Sequence, residues 1–261
     1  EAYFAAEASS VQGPFLVLAV VLIVLAGVFA VFKLPKILEG DEDKGGSYRE
    51  ALKTKHLMFG AIGIFVYVGA EVTIGSYLVN YFLSLDIKSL ILDSGFMRTI
   101  AEFLSGSDLK ELNVSRLAGT FVFFYWFGAM IGRFIGAALQ LKIKPSKLLS
   151  AYALINVVLL TITILSTSYF AFWTVLSIGL FNSIMFPTIF TLSIDGLKNN
   201  TAQGSGILCT AIVGGAIIPP LYGFFADALS LQLAFIVPIL CYLYIAWYGK
   251  YLSGRKNLEM S

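Results

Sequence analysis

Seven stretches of this sequence are apolar for long enough to cross a lipid bilayer, and that leaves few folds open. They run over about residues 15–32, 57–83, 117–141, 148–165, 170–194, 206–225 and 233–251. The hydrocarbon core takes about 20 helical residues to cross. Inside it, backbone polar groups must find partners within the protein, which admits only helices and closed barrels. None of the stretches has the period-2 alternation of a transmembrane barrel, so each is predicted to be a helix. Only 13% of the 261 residues are charged and 58% are hydrophobic, whereas soluble domains are about 25% charged. The sequence therefore reads as an all-α membrane protein.

Several function classes fall away at once. A net charge of +2 is too small to call for a nucleic-acid partner. Cys209 and Cys241 lie in apolar blocks without CxxC spacing, so neither a disulfide framework nor a metal site is read. The sole histidine, His56, stands at the edge of the second span as an interfacial residue. No span holds paired carboxylates, which argues against a membrane-embedded enzyme and calls for no cofactor. The chain starts at Glu1 without Met, and its first apolar run has no basic leader. No signal peptide is read, and an incomplete chain is expected.

The second span carries an acid, Glu71, at membrane depth, where a charge costs about 2.5–3.5 kcal/mol even on lenient insertion scales. Glu71 is thus a functional candidate; the plain alternative is a neutral acid bonded to a neighbouring helix. On the same span Thr73, Ser76, Tyr77 and Asn80 share one helical face. Glu71 is half a turn round from Asn80, so both can face one cavity only if the helix unwinds, at Gly75. In the third span Gly128, Gly132 and Gly136 recur every fourth residue, a stripe that predicts tight contact with another helix. Beside it, Arg133 either snorkels to the interface or turns inward.

Residues 166–169 are too few to do more than turn the fourth span back into the fifth, predicting an antiparallel hairpin. The fifth span holds Asn182 and Ser183 followed by Pro187, which removes a backbone hydrogen bond and predicts a kink. The sixth span gathers Gly214, Gly215, Pro219, Pro220 and Gly223, predicting a bent helix against a close neighbour. Trp247 and Tyr248 suit an interfacial belt. In the loop of residues 84–116, Leu92, Phe96, Ile100 and Phe103 recur at helical spacing, predicting a short amphipathic helix on the membrane surface. Asn113-Val114-Ser115 matches the glycosylation pattern, which matters only in a eukaryotic secretory route.

Lys and Arg are distributed unevenly. Thirteen fall on the side that holds residues 34–55, 142–147 and the C-terminus, against four on the other. The positive-inside rule then makes that side cytoplasmic. The third and sixth spans also superpose at an offset of 87 residues, Gly128-Ala129 on Gly215-Ala216 and Gly136 on Gly223. These spans cross in opposite senses, as in the inverted three-helix repeats of secondary transporters. A stand-alone seven-helix receptor fits the span count, but the bent sixth span and the linker favour a transporter bundle.

In order along the chain, YVGAEVTIGSYLVNYF, FGAMIGRFIGAAL, FNSIMFPTIFTLSIDGL and GSGILCTAIVGGAIIPPLYGFFAD resemble the C-terminal half of the fucose and glucose/galactose proton symporters of the major facilitator superfamily. The resemblance implies that residues 1–33 hold the last helix of an N-terminal bundle and that 34–56 are a cytoplasmic inter-bundle linker. Residues 57–252 would be the six-helix C-terminal bundle and 253–261 a cytoplasmic tail, in a bacterial inner membrane. It implies sugar uptake by proton symport through alternating access, with a sugar, a proton, the bilayer and the absent N-terminal bundle as partners. Glu71, Tyr77, Asn80 and Asn182 are expected as sugar contacts. Gly75, Arg133, Pro187, Gly214, Gly215, Pro219 and Pro220 are expected as structural or gating positions. Fucose-specific members typically have Gln where this chain has Glu71, which points to a hexose such as glucose, galactose or mannose. The family's proton-carrying carboxylates lie in the missing half, and the loop of residues 84–116 is longer than usual. The alternative is a related transporter of another small polar solute.

Overall fold

The computed structural model describes residues 16–25 together with 13 and 27, then residues 46–105 and 114–258. The chain divides into two units, Glu1–Lys44 and Gly45–Ser261. In the first, Leu16–Leu25 is an apolar helix, α1. The rest of the expected first span, most of the linker and the glycosylation pattern at Asn113 lie outside the described residues.

The second unit is a helical bundle. Its elements are α2 (Tyr48–Lys53), α3 (Lys55–Ser84), α4 (Ile87–Asp93), α5 (Gly95–Ser105), α6 (Val114–Gln140), α7 (Pro145–Leu165), α8 (Ser168–Asn182), α9 (Met185–Ile194), α10 (Thr201–Ala211), α11 (Gly214–Ala228) and α12 (Ile236–Leu258). Among the described residues six helical stretches are long and apolar enough to cross a membrane: Lys55–Ser84, Leu117–Gln140, Pro145–Leu165, Tyr169–Ile194, Lys198–Ala228 and Leu233–Gly254. They correspond to the second through seventh predicted spans.

Two of these spans are broken, each for a reason visible in the sequence. Pro187 has no N–H for the carbonyl of Ser183, four residues back, so the helix cannot run through that turn. It stops at Asn182 and restarts at Met185. In the sixth span Pro219 and Pro220 likewise leave the carbonyls of Gly215 and Ala216 without donors. There the backbone tightens ahead of the prolines: Gly215 and Ala216 donate to Ile212 and Val213, three residues back, at 3.0 and 2.9 Å. Pro238 falls in the first turn of α12, where a missing N–H costs nothing within the helix.

The pairing of helices has an internal symmetry. The α3 helix packs on α11 and α12, the α8–α9 span packs on α6 and α7, and α7 meets α12. Exchanging the first three spans of the bundle for the last three reproduces this pattern, the arrangement an inverted repeat gives. Glycines close both seams. A Cβ on Gly132 would overlap the Leu180 carbonyl, and one on Gly136 would overlap Ile184. Across the other seam, Gly214 lies against the Phe65 carbonyl and Gly69 against Ile218. Backbones that approach this closely gain dispersion contacts where lipid offers no hydrophobic drive.

Four expectations need correcting. The α3 helix is continuous from Lys55 to Ser84 with no unwinding at Gly75, whose open side faces the Trp126 ring. The loop after it forms two short helices, α4 and α5, parted at Ser94. Their inner faces bury Ile87, Ile91, Met97 and Ala101 and leave Leu92, Phe96 and Phe103 exposed. Tyr248 is not an interfacial belt residue: it is fully buried, bonded to Ser193 Oγ at 2.9 Å and donating to the His56 carbonyl at 3.2 Å. His56 is itself buried, its Nε2 3.0 Å from the Asp195 carbonyl oxygen.

Gly132→Ala should lower the stability of the detergent-solubilised protein by about 1–3 kcal/mol, the usual cost of overpacking a closed seam. Gly119→Ala on the same helix, where a Cβ meets nothing within 4 Å, should leave it unchanged. Thermal unfolding of the two variants side by side measures the difference.

Candidate functional site

Asn182 ends α8 at the break, and a buried hydrogen-bond network converges on it. Its Oδ1 accepts from Asn156 Nδ2 at 2.8 Å and from the Tyr242 hydroxyl at 2.7 Å. Its Nδ2 donates to the Tyr125 hydroxyl at 2.9 Å. Its backbone carbonyl lies 2.9 Å from the Tyr67 hydroxyl, which is also 2.8 Å from Glu71 Oε1. Four transmembrane spans besides its own thus meet at one residue: α3 through Tyr67, α6 through Tyr125, α7 through Asn156 and α12 through Tyr242. All of these partners are at most 2% exposed, and each lies near the centre of its span.

The second freed carbonyl of the break, that of Ser183, accepts from Arg133 Nε at 3.3 Å. Arg133 can reach it because Gly132 and Gly136 let α6 come against Leu180 and Ile184. Gln140, two turns on, donates to Thr188 Oγ1 of α9 at 2.7 Å. An unpartnered buried polar group costs about 1–3 kcal/mol, so these contacts stabilise the break as much as they decorate it. Asn156 Oδ1 alone in the network is buried without a partner.

Of the residues singled out from sequence, the fold brings together Glu71, Asn182, Arg133 and Pro187. Glu71 is half-buried on α3 one turn from Tyr67. Tyr77 lies elsewhere, on the seam with α11: its ring is 4.7 Å from that of Tyr222, and its hydroxyl is 3.5 Å from the Pro219 carbonyl oxygen. Gly214, Gly215, Pro219 and Pro220 belong to that second seam. Asn80 is exposed and stands apart from Glu71, since the continuous helix puts the two on different faces. Sequence reasoning missed Tyr67, Tyr125, Asn156 and Tyr242. The available signal was a single hydrogen-bonding side chain near the middle of an apolar span, where such groups join helices. No cluster of three or more His, Cys, Asp or Glu that could hold a metal occurs among the described residues.

No protein-family model matches the chain. It is 47% identical over 256 residues to a glucose/galactose transporter of Brucella abortus, covering 97% of this chain and 55% of that protein. It is 40% identical to a putative glucose/galactose transporter of Helicobacter pylori (98% and 57% covered). It is 29% identical to the L-fucose-proton symporter of Escherichia coli (94% and 52% covered). The fold superposes on a crystal structure of the major facilitator superfamily transporter FucP, in its outward conformation, with a TM-score of 0.72 at 25% identity, covering 93% of this chain and 55% of that one. The chain spans about half the length of the curated relatives it matches. It is homologous to membrane sugar transporters rather than enzymes, and its bundle has the half-fold of a major facilitator transporter.

Asn182→Ala should destabilise the bundle more than any single change among its partners, because it strands Tyr125, Asn156 and Tyr242 together. Tyr242→Phe removes one bond, with a net worth of about 1 kcal/mol. Unfolding temperatures in one detergent should rank wild type, Tyr242→Phe and Asn182→Ala in descending order.

Proposed function

We propose that this chain forms the C-terminal half of a proton-coupled hexose symporter of the major facilitator superfamily. The observation that carries the reading is identity of 47% to a glucose/galactose transporter across nearly the whole chain, together with an acid at the centre of the second predicted span. Residues 1–33 are then the last helix of an N-terminal bundle, 34–56 the linker, 57–252 the C-terminal bundle and 253–261 the tail. The Lys and Arg bias supports a cytoplasmic linker and C-terminus in a bacterial inner membrane.

Sugar binds between the two bundles and meets each side of the membrane in turn as they rock. A hexose presents hydroxyls that both donate and accept, so it needs a few fixed polar groups on a rigid wall. Glu71 is the acceptor proposed at the centre, with Asn182 behind it fixing the wall. Glu71 and Asn80 are nine residues apart on an unbroken helix, a rise of about 13.5 Å, longer than one pyranose ring. The two also point to opposite sides of that helix, so one sugar is not expected to touch both. Tyr77 and Asn80 are assigned to the route along α3 and Glu71 to the bound position. Arg133, Pro187, Gly214, Gly215, Pro219 and Pro220 hold the two breaks, at which the bundle can flex.

The test is uptake of labelled glucose, galactose, mannose and L-fucose by the full-length protein in lipid vesicles with an imposed pH gradient. Hexose uptake that follows the gradient is expected. Transport of none of these sugars, or uptake indifferent to the gradient, would overturn the proposal in favour of another small polar solute. Glu71→Gln should change the half-saturating concentration of the preferred sugar by about tenfold, the upper scale of one hydrogen bond. Asn80→Ala should change it less.

A further inference from the structure

The Tyr67 hydroxyl faces two oxygens at hydrogen-bond distance, Glu71 Oε1 at 2.8 Å and the Asn182 carbonyl at 2.9 Å. A phenol has one hydrogen to give, and a backbone carbonyl can only accept. If Tyr67 gives its hydrogen to Asn182, the contact with Glu71 is a hydrogen bond only when the carboxyl group carries a proton and donates it. If Glu71 is ionised, it takes the Tyr67 hydrogen and the Asn182 carbonyl is left short of a donor in a buried place. Sharing the hydrogen between both oxygens would weaken each bond.

The surroundings favour the first arrangement. An ionised Glu71 would look to Arg133 for a counter-ion, yet the two form no ion pair among the described residues, and Arg133 directs its Nε–H to the Ser183 carbonyl. The ionisable groups that bear on Glu71 and Tyr67 are Arg133 and Tyr125 from α6 and Tyr242 from α12. From the fourth and fifth spans come uncharged groups, the Asn156 and Asn182 amides and the Ser183 carbonyl, and among the described residues no ionisable group of α10 or α11 bears on Glu71 or Tyr67. Every other polar contact at the break is made by a neutral donor or by Arg133, so Glu71 is the group there whose hydrogen-bonding sense a proton reverses.

We infer that Tyr67 is a positioning residue that ties the proton on Glu71 to the break between α8 and α9, by capping the Asn182 carbonyl only while Glu71 is the donor in their shared contact. On deprotonation the carboxyl O–H breaks and its proton passes to water. Tyr67 keeps its own hydrogen and turns it from Asn182 to the new carboxylate, and the Asn182 carbonyl is uncapped. Reprotonation reverses each step. Substrate is not needed for this device, so hexose uptake and the coupling can fail separately.

Infrared difference spectra of the full-length protein in lipid vesicles, taken between neutral and high pH with 13C-carbonyl asparagine, test it. A carboxylic-acid band should be present at neutral pH and lost at high pH, and it should be absent from Glu71→Gln. An asparagine carbonyl band should shift in step with it. In Tyr67→Phe the acid band should move and the asparagine shift should disappear. The inference is overturned if Glu71 gives no acid band at any pH, or if the asparagine response survives in Tyr67→Phe. Should Tyr67→Phe fail to insert, wild type against Glu71→Gln still decides. An asparagine shift that persists without the acid, or one that never follows the acid band, overturns the coupling.

Discussion

Pro187 has no hydrogen for the Ser183 carbonyl, and in a span where backbone groups cannot turn to water that missing bond organises the centre of the bundle. The break it imposes leaves carbonyls in need of donors, those of Ser183 and, at the helix end, Asn182 among them. The first is met by a cation from α6 and the second by a phenol from α3. The Asn182 side chain, held at the last turn of α8, then becomes the point on which α6, α7 and α12 converge. Remove the proline and an ordinary helix would satisfy its own backbone; Arg133 and Tyr67 would have no reason to be where they are.

The glycine seams answer the same need from the other side. Arg133 reaches the break only because α6 lies almost backbone to backbone against α8, over Gly132 and Gly136. The matching seam sets α11 against α3 through Gly69 and Gly214, and its own prolines again leave carbonyls to be met. The symmetry is not complete. In one half of the bundle α3 and α6 are unbroken; in the other both the fifth and the sixth spans are divided. Unbroken helices thus face divided ones across both seams.

Much of this was legible in the sequence. The second through seventh spans follow from apolar run length, with the sixth starting eight residues earlier than read, and both breaks follow from proline. The close approach of α6 follows from a four-residue glycine repeat, because spacing fixes which side of a helix is small. What could not be read was which residues meet across helices. Tyr67, Tyr125, Asn156 and Tyr242 are scattered over 176 positions and look like isolated polar residues until the bundle brings them together. The expected unwinding at Gly75 failed for a related reason. Glycine weakens a helix, but here its bare side is covered by Trp126 and no proline follows, so nothing draws the backbone out of its own hydrogen bonds. The Tyr248 reading failed because a tyrosine at a helix end was given to the interface, when Ser193 and the His56 carbonyl supply its hydroxyl with partners inside.

Glu71 is the acid nearest the centre of any described span, and its neighbours are arranged so that what occupies its Oε1 matters more than its charge alone. A proton there frees Tyr67 to cap the break. A sugar hydroxyl that donates to the same oxygen would do likewise, since it also relieves Tyr67 of having to satisfy a carboxylate. In the proposed symporter, proton and sugar would then be interchangeable tenants of one position as far as the break is concerned, whereas an empty, ionised Glu71 would draw Tyr67 away. Such an arrangement links occupancy to the joint between α8 and α9 without any charged partner crossing the bundle. It also gives a physical reason for an acid here: a glutamine, which always has a hydrogen to donate, would keep the break capped whether or not sugar is bound.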